Sequence, residues 1–345
     1  MQYGLLTNSL YRGTDLDKRL LHTPEGVRDI YGSELLLKLK LQQQLLMMLH
    51  EYGYQDIETP TIEFFDVFSS RIGTIPSNEL YKFFDKEGNT LVLRPDFTPS
   101  IARCAAKYYM EDESPLRFCY CGNTFINNSD FQGRLKESTQ IGAELINDDS
   151  CEADAEIILM MIEALKRAGL EEFQITVGNV EYFKGLCDEY AIEGEAELDL
   201  REMISNKNFF GASDIMDALS IPDENKEKIL RINDLFGSIE KISLAKKDVR
   251  NERSLKALER LQKIYEIIKE KSLEGYLSFD LGVLSKYHYY TGIIVNAFTY
   301  GAGDAVIKGG RYDNLLSEFG KKAPAVGFAI VADRLVSVLR KYDHE

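Results

Sequence analysis

LRFCYCGNTFI (116–126) and KESTQIGAELIN (136–147) are two extended runs joined by the polar loop NNSDFQGRL (127–135). Apolar and polar positions alternate in both, so the pair reads as two strands closed into a hairpin. Cys119 and Cys121 alternate with Phe118 and Tyr120, as inner and outer residues of a strand do. On the N-terminal side, residues 79–94 form another hairpin around a Lys-Glu-Gly-Asn turn. On the C-terminal side, YYTGIIVNAFTYGAGDAVIKGG (289–310) forms a third, and AVGFAIVADRLVSVLRK (325–341) is a strand running into a helix. Strands joined by hairpins, with helices at irregular intervals, predict an α+β fold on a mixed, mainly antiparallel sheet and not a doubly wound parallel one.

The helices have their own signals. Leu37, Leu41, Leu45, Met48 and Tyr52 recur every three or four positions, and Gly53 stops that run. Ser33 is its expected N-cap, with Glu34 suited to the helix dipole. Asp148-Asp149-Ser150 caps a second amphipathic helix over 151–168, ended by Gly169. Thr98–Tyr109 is a third. FQITVGN (173–179) is a strand. Residues 180–274 are charged and helix-rich, and strands resume at YLSFDLGVL (276–284). The expected organisation is an N-terminal arm (1–22), a core (23–179 and 275–345) and a helical insertion (180–274).

The 345 residues carry 41 Lys and Arg against 56 Asp and Glu, a formal charge of −15. Nucleic-acid phosphates need neutralising cations, so a broad tRNA or DNA footprint is not expected. The five cysteines are scattered, and no His lies near a cysteine pair, so no metal site is expected. Reduced thiols, no signal-type leader and no run of ~18 apolar residues imply a cytoplasmic protein. There is no GxGxxG or GxxxxGKS/T phosphate loop.

Four stretches, in order, carry a resemblance: TPEGVRDIYGSE (23–34) with EYGYQDIETPTIE (51–63), LRPDFTPSIAR (93–103), GNTFINNSDFQGRLKESTQIGAELI (122–146), and KYHYYTGIIV (286–295) with KGGRYDNLLSEFG (308–320) and AVGFAIVADRL (325–335). Together they resemble the catalytic core of histidyl-tRNA synthetases, a class II aminoacyl-tRNA synthetase fold. More closely they resemble the synthetase-like regulatory subunits of ATP phosphoribosyltransferase. The resemblance runs from residue 23 to about 340.

It implies a histidine pocket. Asp96 and Thr98 stand where the family grips the substrate amine, Asp96 replacing a Glu. Gln140 and Glu144 match pocket-lining residues; four apart on a strand, they share a face. Tyr289 and Tyr290 match a tyrosine pair, Tyr290 being the expected imidazole partner. Phe97, where the family has a small residue, is expected to narrow the entrance. Histidine offers an ammonium, a carboxylate and two imidazole nitrogens, and this residue set answers that chemistry.

Adenylate formation needs fixed cations around the α-phosphate, and losing one typically costs ~10²–10³ in rate. The arginine that follows the motif Phe in the synthetases is Ile126 here. The arginine before the tyrosine pair is Ser285, with Lys286 beside it on the opposite face of an extended chain. Arg334 stands at the third class II motif, where it could touch a nucleotide phosphate or pair with a carboxylate or carbonyl of the scaffold. Arg311 is expected to be scaffold, and His288 structural or solvated. The family implies a non-catalytic, histidine-sensing subunit with no cofactor. Its partners would be the short-form catalytic ATP phosphoribosyltransferase chain, L-histidine, and a second copy paired through residues 34–65; the arm is the preferred contact for the catalytic chain. The alternative is a truncated synthetase-like enzyme making an aminoacyl adenylate. Synthetases of this type continue past the third motif into an anticodon-binding domain, whereas this sequence ends about ten residues after Arg334.

Overall fold

The computed structural model describes residues 21–69, 75–128, 135–284 and 289–342. Nearly all of the expected arm, and Ser285, Lys286 and His288, lie outside the described residues. In chain order, helix α1 (Gly32–Glu51) leads through β1 (Gln55–Asp56) and β2 (Ile62–Phe64) to the hairpin β3 (Lys82–Phe84) and β4 (Thr90–Leu93). Helix α2 (Thr98–Tyr108) precedes the long hairpin β5 (Leu116–Phe125) and β6 (Glu137–Ile146). Then come α3 (Cys151–Arg167) and β7 (Phe173–Asn179). Helices α4 (Val180–Glu189), α5 (Glu195–Ser205), α6 (Phe209–Ala218) and α7 (Asp223–Leu230), strand β8 (Phe236–Gly237), and helices α8 (Glu240–Asp248) and α9 (Glu252–Glu270) fill the helix-rich segment. The chain closes with β9 (Leu277–Asp280), β10 (Ile293–Thr299), β11 (Ile307–Arg311), β12 (Ala325–Val331) and α10 (Ala332–Tyr342).

The main sheet runs β1-β5-β6-β12-β11-β10-β7-β9-β8, and β2-β4-β3 form a small second sheet. Only β1/β5 and β7/β9 pair in parallel among the described strands. The α+β architecture on a mixed, mainly antiparallel sheet expected from the hairpins is therefore present. Strand β8 was not anticipated: it extends the sheet edge by pairing Phe236 with Asp280.

Capping explains one helix start and corrects another. The Ser150 hydroxyl accepts the Ala153 N–H at 3.1 Å and opens α3, as its sequence implies. Ser33, however, does not cap α1. That helix already begins at Gly32, after an extended Tyr31, so Ser33 falls inside the first turn. Glu34 is held there by Arg28 and, at 2.6 Å, by Arg340. A buried Lys38–Asp333 pair (2.7 Å) ties α1 to α10, and the other Asp333 oxygen takes the Thr139 N–H at 2.6 Å, which fixes β6 against both helices.

One face of the sheet carries the large core. It includes Leu45 and Met48 of α1, Ile157 and Met161 of α3, and Leu258 and Leu261 of α9, and it is continuous into α5 through Leu200 and Ile204. The opposite face carries a smaller core in which Phe97 and Ile101 meet Phe118, Tyr120, Tyr312 and Leu316. The candidate site opens on this second face, above β6, β12 and β11.

Candidate functional site

Side chains reach the site because the strands bring their pleats into rows. Glu144 of β6 is paired with Gly327 of β12, which is paired in turn with Gly310 of β11. Both glycines are steric requirements. A Cβ on Gly327 would lie 1.7 Å from Glu144 Oε2, and one on Gly310 would lie 2.6 Å from the Tyr290 ring. The row therefore has a floor without side chains, and a carboxyl group and an aromatic ring occupy it.

A cavity of about 110 Å³ lies above this floor. One water needs ~10–15 Å³ of such space, so the cavity suits a small molecule of amino-acid size. Asp96, Thr98, Gln140, Glu144, Tyr289 and Tyr290 all line it, as does Ile126. The six positions expected from sequence are thus brought to one place, although they come from three separate segments of chain: the start of α2, strand β6 and the residues before β10. Phe97 is a correction. It does not narrow the entrance but is buried, stacked on Tyr120 with ring centroids 4.3 Å apart and covered by the Arg94 guanidinium 4.0 Å from its ring. It points away because Asp96 turns the chain: its Oδ1 accepts the Phe97 N–H at 2.7 Å and the Thr98 N–H at 3.4 Å, opening α2.

Glu144 is the electrostatic centre. It is 1% exposed, accepts the Thr98 hydroxyl at 2.6 Å on Oε1, and accepts the Tyr312 hydroxyl on Oε2. Burial pushes its carboxyl up to about 8, against the pull of those two hydroxyls and with a push from Asp96. Burial also raises Asp96, offset by the backbone N–H groups of Thr98 and Phe97. Tyr312 is raised far above the ordinary phenol range by burial and by Glu144, so it stays a donor. The tyrosine pair packs at 4.4 Å between centroids, and Tyr289 meets Tyr312 edge-on at 6.1 Å. Gln140 Oε1 and the Tyr120 hydroxyl are buried with no protein partner among the described residues.

Two lining residues with polar side chains were not singled out from sequence: Tyr312 and Lys308. The signal was present in the motif KGGRYD. Strand alternation puts 308, 310 and 312 on one face and 311 on the other. The structure agrees. Arg311 turns to the opposite side, where it is 2% exposed and pairs with Asp154 at 2.7 Å and Asp313 at 3.1 Å. Arg334 also does not line the cavity. Its guanidinium donates to the Ala305 carbonyl and lies 3.3 Å from Asp304. Among the described lining residues the charged groups are Asp96, Glu144 and Lys308.

Away from this cavity, the fold brings Cys119 to two groups that are close to each other in sequence, His50 and Asp56. His50 Nε2 lies 3.0 Å from Asp56, and the Cys119 thiol meets the other Asp56 oxygen at 3.5 Å. Burial and Asp56 push that thiol up to about 12, so it remains protonated and donates.

Comparison with known proteins decides the family. The family model for histidyl-tRNA synthetase matches residues 26–335. The ATP phosphoribosyltransferase regulatory subunit of Ruminiclostridium cellulolyticum is 42% identical over 324 residues, covering 94% of this chain and 77% of that protein. The chain belongs to the histidyl-tRNA synthetase-like family of ATP phosphoribosyltransferase regulatory subunits. The regulatory subunit of Acetivibrio thermocellus is 43% identical, covering 92% of this chain and 76% of its own. The crystal structure of an ATP phosphoribosyltransferase regulatory subunit/histidyl-tRNA synthetase from Bacillus halodurans superposes with a TM-score of 0.86 at 34% identity, covering 93% of this chain and 83% of that one. Members of this family share the class II synthetase-like fold described above. No helix of the described residues is long and apolar enough to cross a membrane.

Proposed function

We propose that this chain is the non-catalytic regulatory subunit of ATP phosphoribosyltransferase in the first step of L-histidine biosynthesis, and that L-histidine binds in the Glu144 cavity to convey feedback. The observation that carries this reading is the charge set of the cavity: two carboxylates against one lysine, with tyrosines and a glutamine between. That set suits an amino acid with an ammonium and an imidazole. It is poorly suited to a nucleotide, whose phosphates would face Asp96 and Glu144 with Ile126, and not a guanidinium, beside them. Arg334, engaged with Asp304 and a carbonyl, supports the same side. The adenylate-forming alternative would require those phosphates to be held without these cations.

Feedback requires histidine to bind two states of the complex with different affinity. Reconstitution tests this. Adding the chain to a short-form catalytic subunit is expected to raise phosphoribosyl transfer, and L-histidine to lower it. Transfer unaffected by this chain, or unaffected by histidine, would remove the regulatory reading.

A homodimer through α1 and β2 belongs to the same reading. Leu36, Leu39 and Met47 of α1, with Ile62 and Phe64 of β2, are each half exposed or more. Large apolar side chains left exposed on α1 and β2 support an association surface there. Phe64→Asp should convert a sedimenting dimer to monomer; unchanged sedimentation would place the interface elsewhere.

A further inference from the structure

A zwitterionic amino acid brings a carboxylate as well as cations, and the two buried acids cannot receive it. We propose that Lys308 is the residue that receives the ligand's carboxylate, fixing its orientation and selecting α-amino acids over their decarboxylated or reduced relatives. This rests on the histidine reading above and adds a residue to it.

Three observations support it. First, Lys308 is the only cation among the described residues that line the cavity. Secondly, its position is set by the sheet. Lys308 is paired with Ala329, and Ala329 with Gly142. It therefore stands two strands across and one pleat repeat along from Glu144, about 10 Å across the sheet and about 7 Å along it. The lysine and glutamate stems shorten that gap to the span of one small molecule, with its cationic end on Glu144 and Asp96 and its anionic end on Lys308. Thirdly, the ammonium can be released at little cost. Nζ is held at 3.0 Å by Asp304, both side chains being more than a third exposed, and exposed pairs of this kind bind weakly. Asp304 keeps Arg334 at 3.3 Å when Lys308 turns to a ligand, so no carboxylate is left unpaired.

The test compares L-histidine with L-histidinol, which keeps the ammonium and imidazole and replaces the carboxylate with a hydroxymethyl group. Calorimetry on the full chain, alone and with the catalytic subunit, should show Lys308→Met weakening L-histidine by about 10–100-fold. L-Histidinol affinity should be unchanged, and Lys308→Arg should keep most of the histidine affinity. Equal losses for both ligands, or no loss for either, would overturn the assignment. A wild-type protein that binds histidine and histidinol equally well would also overturn it while leaving the histidine reading intact. A wild-type protein that binds neither compound, alone or in the complex, removes both.

Discussion

Asp154→Ala is expected to cost about 3–5 kcal/mol of folding stability, the usual penalty for stranding a buried charge. Asp154 is fully buried at the start of α3 and holds two guanidinium groups, Arg311 at 2.7 Å and Arg260 at 2.5 Å. Arg260 is a quarter exposed and can turn to water. Arg311 is 2% exposed, with Gly292 packed against its stem, so it cannot turn to water and would keep only the partly exposed Asp313 at 3.1 Å as a charged partner. The loss should also reach the cavity, because Arg311 ends β11, the strand that carries Lys308 and Gly310. Urea unfolding measures the effect. Asp154→Leu with Arg311→Met, which removes both charges, should recover most of the stability, since well-packed apolar pairs often replace buried ion pairs without loss. A single-variant loss below ~1 kcal/mol would show that water reaches Arg311.

Glu144→Ala is expected to weaken L-histidine binding tenfold or more, because hydrogen bonds to charged groups are worth ~1.5–3 kcal/mol. The pocket is shaped around this carboxyl: Thr98 and Tyr312 donate to it, and Gly327 leaves room for it. Unchanged affinity by calorimetry would place the ligand elsewhere. The same group gives a pH dependence. Its folded-state carboxyl titrates at about 8 and its ordinary value is 4.5, so between these pH values the folded chain keeps a proton that the unfolded chain releases. Stability of the ligand-free protein from this group therefore falls as pH rises from 4.5 to about 8. A cationic ligand group arriving near neutral pH should displace that proton. Urea midpoints at pH 6 and pH 8 should diverge in the wild type and converge in Glu144→Gln. Equal divergence in both proteins would assign the slope to other groups.

The sheet and its helices were legible because their periodicities are local. The hairpins at 79–94, 116–147 and 289–310, and the α3 cap at Ser150, depend on neighbours in sequence. That the six candidate positions would line one cavity was legible only through family resemblance, since Asp96, Gln140 and Tyr290 meet through long-range pairing. Tyr312 and Lys308 could have been found by applying strand alternation to KGGRYD. Phe97 could not, because its direction depends on Asp96 turning the chain into α2. Nor could the His50–Asp56–Cys119 cluster, which exists only because Asp56 of β1 is paired with Cys119 of β5. Ser33 failed as a cap because the helix gained a turn residue at Gly32, where φ is +62°.

Isothermal titration of the purified chain with L-histidine, and then with ATP, tests the central claim most directly. The account predicts micromolar-to-millimolar histidine binding, in the chain alone or once the catalytic subunit is present, with no ATP signal and no adenylate formed. ATP binding accompanied by pyrophosphate exchange would contradict it and make the chain an adenylate-forming enzyme.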